Sequence, residues 1–168
     1  MAYRSQRFDP EVHDAGSFTC GEPSLDDWLR DQAAAATVRR TARTWVWLDP
    51  HGTVVAYYAL AAHRVAREEV PTAIGRGGPR EIPAVLLARL ALSTDLRGQG
   101  LGAVLVADAM ARIIEATRTV AARLVVVDAL HENVAQFYES LGFRRLPNSL
   151  LLVQKISDIE TALDRGDG

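Results

Sequence analysis

The stretch Leu90-Ala91-Leu92-Ser93-Thr94-Asp95-Leu96-Arg97-Gly98-Gln99-Gly100-Leu101-Gly102 sets the fold of this chain. Val85 to Leu92 is an almost unbroken apolar run of strand length, interrupted by Arg89, and reads as a strand buried on both faces. It runs into a glycine-rich turn, Asp95 to Gly102, and a long helix follows to about Thr119. Such a turn exposes consecutive backbone N–H groups at a helix N-terminus, where they attract phosphate. No Gly-Lys-Ser/Thr follows, so the turn is not a P-loop. Gly98, Gly100 and Gly102 are evenly spaced, and the dinucleotide pattern G-x-G-x-x-G fails at Ala103. Spacing alone leaves two readings open, a phosphate cradle and a bare tight turn.

Upstream, Ser24 to Leu29 opens a helix with Ser24 as its cap and Asp26 and Asp27 at its positive end. Leu25, Trp28, Leu29 and Gln32 to Ala36 continue its apolar spacing. Thr44 to Leu48 and Val54 to Ala62 read as a hairpin about the turn Asp49-Pro50-His51-Gly52. Arg64 to Pro83 is rich in Gly and Pro and reads as a long surface loop with room for a short helix. In the downstream helix Val104, Leu105, Ala107, Ala109, Met110, Ile113 and Ile114 mark the apolar side. Leu124 to Leu130 is a buried strand, and Asn133 to Leu141 a short helix ended by Gly142 in a left-handed cap. Phe143 to Leu146 and Leu150 to Ile156 close the chain as an antiparallel pair. The order α, β, β, loop, β, α, β, α, β, β is that of a mixed α/β domain.

The chain has 168 residues, 48% hydrophobic and 24% charged, with a formal net charge of −2. That length and balance predict one globular domain over 1–168 and exclude a disordered chain. A single cysteine rules out a disulfide framework and a Cys-based zinc site, and no metal site is expected. No apolar run reaches the ~18 residues that span a bilayer, and Met1 to Pro10 lacks an apolar signal core. A soluble, cytoplasmic protein without membrane contact is expected. Charge is segregated: acids dominate Met1 to Leu29, whereas Arg39, Arg40, Arg43, Arg64 and Arg67 face only Asp49. A basic stretch in an acidic chain binds phosphate locally or is a solvated face.

Arg97-x-x-Gly100-x-Gly102 resembles the pyrophosphate loop of GNAT-superfamily acetyltransferases, and Asn133-x-x-x-Phe137-Tyr138-x-x-x-Gly142-Phe143 resembles the family's second cofactor segment. The element order is similar to the GNAT fold, a mixed central sheet flanked by helices. The resemblance implies acetyl-CoA, its pyrophosphate held by Arg97, Gly98, Gln99, Gly100, Leu101, Gly102 and Ala103. It implies that backbone groups of Leu90, Ala91 and Leu92 meet the acetyl and pantetheine. Asn133 and Phe137 lie in the second cofactor segment, with Asn133 at the pantetheine and Tyr138 near the thioester sulfur. Phe18-x-Cys20-Gly21-x-x-x-Leu25-Asp26-x-Trp28-Leu29, Tyr57-Tyr58-Ala59-Leu60 and Ile82-Pro83-x-x-Leu86-Leu87-Ala88-Arg89-Leu90-Ala91 resemble the family's toxin branch. That likeness implies acetylation of the α-amine of aminoacyl-tRNA, a small DNA-binding antitoxin as partner, and a homodimer.

Tyr138 is either an interfacial ring beside Phe137 or a general acid, since a phenol of pKa ~10 is protonated at pH 7. His63, Glu81 and His131 are base candidates by type alone, and an α-amine of pKa ~8 has little need of one. Arg89 is either half of a structural ion pair or a grip on a substrate phosphate or 3′ terminus. Arg39, Arg40 and Arg43 are candidates for RNA phosphates. Cys20 reads as a small buried hydrophobe rather than a nucleophile, and Trp28, Trp45 and Trp47 as core, with Trp45 free to reach the surface because strand neighbours alternate. Two other readings remain: acetylation of a small amine or protein N-terminus, and a non-catalytic acetyl-CoA-binding co-repressor.

Overall fold

The computed structural model describes residues 2–166; Met1, Asp167 and Gly168, at the ends of the expected 1–168 domain, lie outside the described residues. In chain order the elements are β1 (Gln6–Arg7), α1 (Pro23–Asp31), α2 (Ala33–Arg39), β2 (Arg43–Leu48), β3 (Val54–Ala66), α3 (Thr72–Gly75) and β4 (Glu81–Leu92). They continue with α4 (Leu101–Thr117), β5 (Leu124–Asp128), α5 (Glu132–Ser140), β6 (Arg144–Arg145), β7 (Leu151–Lys155) and α6 (Ile156–Gly166). The strands form one seven-stranded mixed sheet in the order β1-β2-β3-β4-β5-β7-β6. β4 and β5 run parallel, whereas β1–β2, β2–β3, β5–β7 and β6–β7 pair antiparallel. The chain divides into two compact units, and β3, β4 and α4 contribute residues to both.

The first unit holds the residues up to Ala61 together with Ala88–Ala109. The expected hairpin is present, Arg43 opposite Leu60 and Leu48 opposite Val54. Its turn is fixed by Asp49, whose carboxylate accepts from the amides of His51 (2.8 Å) and Thr53 (3.0 Å). Phe18, Leu29, Val46, Val54, Tyr57 and Ala91 pack into one apolar cluster. The first helix starts two residues earlier than expected: Pro23, whose fixed φ suits the first helical position, follows an N-cap at Glu22, and Ser24 caps nothing. Gln32, at φ −120°, breaks the expected single helix into α1 and α2. Asp108 on α4 collects three donors: Ser5 Oγ (2.7 Å), Tyr58 Oη (2.9 Å) and the indole Nε1 of Trp47 (2.9 Å). On that helix Val104 and Ala107 face outward, contrary to their expected place on the apolar side.

The second unit holds Ala62–Leu87 and the chain from Met110 onward. Its core gathers Val65, Val70, Ile74, Ile82, Ala84, Leu124, Val126, Leu146 and Val153. β5 is buried on both faces over Leu124–Val127, as a central parallel strand should be. β4 is less deeply covered: over Val85–Leu92 only Leu87 and Ala91 are fully buried and the rest half-buried, while at its start Ile82 and Ala84 are buried and Glu81 and Pro83 exposed. The expected 64–83 loop is mostly ordered structure. β3 runs on to Ala66, a 3₁₀ turn spans Arg67–Glu69, α3 follows, and β4 starts at Glu81. The sequence reading missed α6, although Ile156 and Ile159, both buried, and Leu163 recur at helical spacing.

Removing Asp108 takes a shared acceptor from two buried donors, because Trp47 is 1% and Tyr58 0% exposed, and leaves Tyr58 the weaker contact with Ser5 Oγ at 3.2 Å. Asp108→Ala should therefore lower stability by about 2–4 kcal/mol in urea denaturation. An unchanged midpoint would show that the network contributes nothing.

Candidate active site

The turn between β4 and α4 meets the requirements for an anion cradle. Gly98 and Gly100 take φ +77° and +73°, a region that L side chains avoid. A Cβ at either position would meet no atom within 4 Å, so the space in front of both is open. Because α4 begins at Leu101, the amides of Leu101, Gly102 and Ala103 have no intrahelical carbonyl to bond. They carry the positive end of the helix dipole. Open space, free amides and a helix N-terminus of 17 residues fit a pyrophosphate.

The turn is tied down behind the cradle. Ser93 donates its amide to the Val55 carbonyl (2.8 Å), and Thr94 to that of Thr19 (3.0 Å). The Arg97 guanidinium donates to the Cys20 carbonyl, so this side chain braces the turn. Gly21 has to be glycine for the same reason: its φ is +91°, and a Cβ there would lie 2.9 Å from Arg97 Nη2.

Beside the turn, Ala91 of β4 is buried and Leu90 and Leu92 are half-buried. Arg89 precedes them, its guanidinium carbon 4.8 Å from the centroid of the Trp28 ring. Trp28 in turn stacks on Tyr57 at 6.0 Å and 9°. Of the two readings of Arg89, the ion pair is not found: no carboxylate meets it among the described residues, and its Nε is buried without a hydrogen-bond acceptor. An aromatic face has taken the carboxylate's place, which holds the cation without neutralising it.

In the second unit, α5 carries Asn133, exposed on its first turn, and the half-buried Phe137. Tyr138 is only 4% exposed. Phe137 and Phe143 meet its ring edge-on at 5.3 Å and 5.5 Å. The helix ends in a Schellman turn. The Phe143 amide donates to the Tyr138 carbonyl and the Gly142 amide to that of Glu139, both at 3.1 Å, with Gly142 at φ +98°. The sequence pattern Tyr-x-x-x-Gly-Phe thus has a mechanical meaning. Gly142 permits the reversal, and the reversal packs Phe143 against Tyr138. Burial pushes the Tyr138 phenol well above its ordinary value, so it stays protonated.

A family model for the acetyltransferase (GNAT) domain matches residues 40–145. This chain belongs to the GNAT acetyltransferase family. It is 37% identical over 156 residues to the tRNA-acetylating toxin of Mycobacterium tuberculosis, covering 91% of this chain and 93% of that relative. Among solved structures it is similar to AtaT complexed with acetyl-methionyl-tRNAfMet, with a TM-score of 0.88 and 30% identity over 96% of this chain and 99% of that one. It is also similar to a mutant AtaT toxin bound to the C-terminus of the antitoxin AtaR and acetyl-CoA. There the TM-score is 0.82 and the identity 29%, over 96% of this chain and 98% of that one.

The remaining candidates sort themselves by their surroundings. Arg39 and Arg40 are exposed at the end of α2, where Arg40 takes the left-handed cap position at φ 61°. Arg43 is half-buried and donates to the Thr37 carbonyl (3.0 Å), so it closes the α2–β2 connection. Glu81 pairs with Arg64 at 2.9 Å on the surface, which weakens its case as a base. His63 and His131 are exposed. Trp47 is core as expected, the half-buried Trp28 packs against the first unit's apolar cluster, and Trp45 is half-buried, as strand alternation allows. Among the described residues no three His, Cys, Asp or Glu side chains cluster as metal ligands, and no helix is long and apolar enough to cross a membrane.

Cys20 is 4% exposed, and burial, reinforced by Asp26, pushes its thiol up to about 11. A covalent acetyl-cysteine route in this GNAT protein would start from an almost wholly protonated thiol at pH 7. Alkylation of native Cys20 by iodoacetamide should be slow at pH 8 and accelerate only as pH approaches 11. Labelling at pH 8 as fast as in the urea-unfolded chain would refute that burial.

Proposed function

We propose that residues 1–168 act as one acetyl-CoA-dependent N-acetyltransferase domain that modifies the α-amine of aminoacyl-tRNA, as the toxin of a toxin–antitoxin module in the cytoplasm. The similarity to the tRNA-acetylating toxin over nine-tenths of both chains carries this reading. The likeness to AtaT with acetyl-methionyl-tRNAfMet supports the substrate, and the likeness to AtaT with AtaR supports an antitoxin as partner, which we take to be small and DNA-binding.

Acetyl-CoA supplies an acetyl group already activated as a thioester. The amides from Gly98 to Ala103 bind its pyrophosphate, and Arg97 keeps the turn in the shape that aims them. Backbone groups of Leu90, Ala91 and Leu92 line the acetyl and pantetheine, with Asn133 and Phe137 completing the cofactor segment. Tyr138 donates its phenolic proton to the sulfur as negative charge builds there. Its raised pKa keeps that proton in place until the C–S bond is breaking. The substrate amine has a pKa of ~8 or lower beside an ester, so a large share is neutral at pH 7 without a protein base. Arg89, unneutralised over Trp28, holds a phosphate near the 3′ end of the RNA. Arg39 and Arg40 are exposed for duplex phosphates, and Arg43 adds charge behind them.

The test is mass spectrometry of purified charged tRNA incubated with enzyme and acetyl-CoA. An acetylated aminoacyl moiety is expected, and Tyr138→Phe should slow its formation about 10²–10⁴-fold with the fold intact. Charged tRNA left unmodified by an enzyme that acetylates small amines would overturn the substrate. A Tyr138→Phe enzyme with wild-type turnover, where chemistry limits the rate, would overturn the general acid.

A further inference from the structure

α5 is nine residues long, too short to hold its own pitch in water. Its buried side is narrow, made of Ala135 and Tyr138. Glu132 and Glu139 sit seven positions apart and so share one face, two turns from each other. Both carboxylates meet a single side chain. Arg145 of β6 places Nη1 2.8 Å from Glu132 Oε2 and Nη2 2.6 Å from Glu139 Oε1. Its own side chain is 24% exposed, and its Nε is buried without an acceptor. The two carboxylates hold the Arg145 proton more tightly than usual.

Both carboxylates are solvent-exposed, but the arrangement has two contact points where an ordinary surface ion pair has one. A single bond to a helix permits rotation about the contact point, whereas two bonds two turns apart resist both rotation and tilt. A planar guanidinium spans two carboxylates in a way that an ammonium does not. Arg145 also offsets the placement of Glu139, whose charge lies at the negative end of the helix dipole. The Schellman turn at Gly142 fixes the backbone after Tyr138, and Arg145 fixes the rotation of the helix before it.

We propose that Arg145 is a positioning residue for the transfer step, a two-point clamp through Glu132 and Glu139 that sets where α5 presents the Tyr138 hydroxyl. The inference rests on Tyr138 as the general acid. A misplaced acid costs more rate than cofactor binding, because the pyrophosphate amides belong to α4 and α5 brings only Asn133 and Phe137 to the cofactor. Displacements of about 1 Å at a reacting group cost up to about 100-fold.

The experiment measures kcat and acetyl-CoA affinity for Arg145→Ala, Arg145→Lys and Tyr138→Phe, and for each Arg145 variant combined with Tyr138→Phe, with melting curves throughout. Arg145→Ala should lose about 10- to 100-fold in kcat with acetyl-CoA affinity within about threefold of wild type. Arg145→Lys, keeping one bond and a folded helix, should fall between. In the Tyr138→Phe background neither variant should slow the enzyme further, because the group they position has gone. Wild-type kcat in Arg145→Ala would overturn the clamp. So would a further loss on top of Tyr138→Phe, or a loss of affinity and melting temperature that matches the loss of kcat. A fully active Tyr138→Phe enzyme would instead remove the general-acid reading on which the clamp depends.

Discussion

Two glycines at positive φ shape the turn on which the proposed chemistry depends. Gly98 and Gly100 turn the backbone between β4 and α4 through a region that costs other residues about 1–2 kcal/mol each. The turn they make is held from behind by Ser93, Thr94 and the Arg97–Cys20 contact, and is open in front. The first amides of α4 therefore point into free space instead of at carbonyls. A pyrophosphate placed there gains directed hydrogen bonds and a fixed dipole, and no lysine or metal is needed. The lone lysine of the chain, Lys155 at the end of β7, is consistent with that economy.

The strand–turn–helix unit was legible because period and glycine placement are local properties. So was the Gly142 reversal, since a glycine after a short amphipathic run is a helix-end signal. Boundaries were less legible: Ser24 competed with Pro23 for the start of α1, and the proline's locked φ won. α6 was lost because Ile156 was assigned to the end of β7, which hid the spacing to Ile159. The apolar run of β4 suggests complete burial, yet most of it is only half-buried, because hydrophobicity along a strand does not report how deeply each face is covered. Partners distant in sequence were invisible. Nothing local joins Arg97 to Cys20, 77 positions away, or turns Arg89 toward Trp28 rather than a carboxylate.

Net charge is a poor guide to the surface a nucleic acid meets. Much of the acidity of this chain is used internally: Asp26 accepts from the Cys20 amide, Asp49 fixes a turn, and Asp108 collects three donors. Glu132 and Glu139 are engaged by Arg145. Arg39 and Arg40 stay exposed, and Arg89 lies against an aromatic ring rather than a carboxylate. The formal −2 therefore coexists with cations available to phosphate.

Calorimetric titration of acetyl-CoA into folded Gly100→Asp enzyme tests the cradle most directly. The substitution places a carboxylate in the open space before the α4 amides, where it both occupies the site and repels a pyrophosphate. Affinity should fall roughly 100-fold or more against wild type, the consequence of like charges brought together in one site. A folded Gly100→Asp protein that binds acetyl-CoA as tightly as wild type would contradict pyrophosphate binding at this turn.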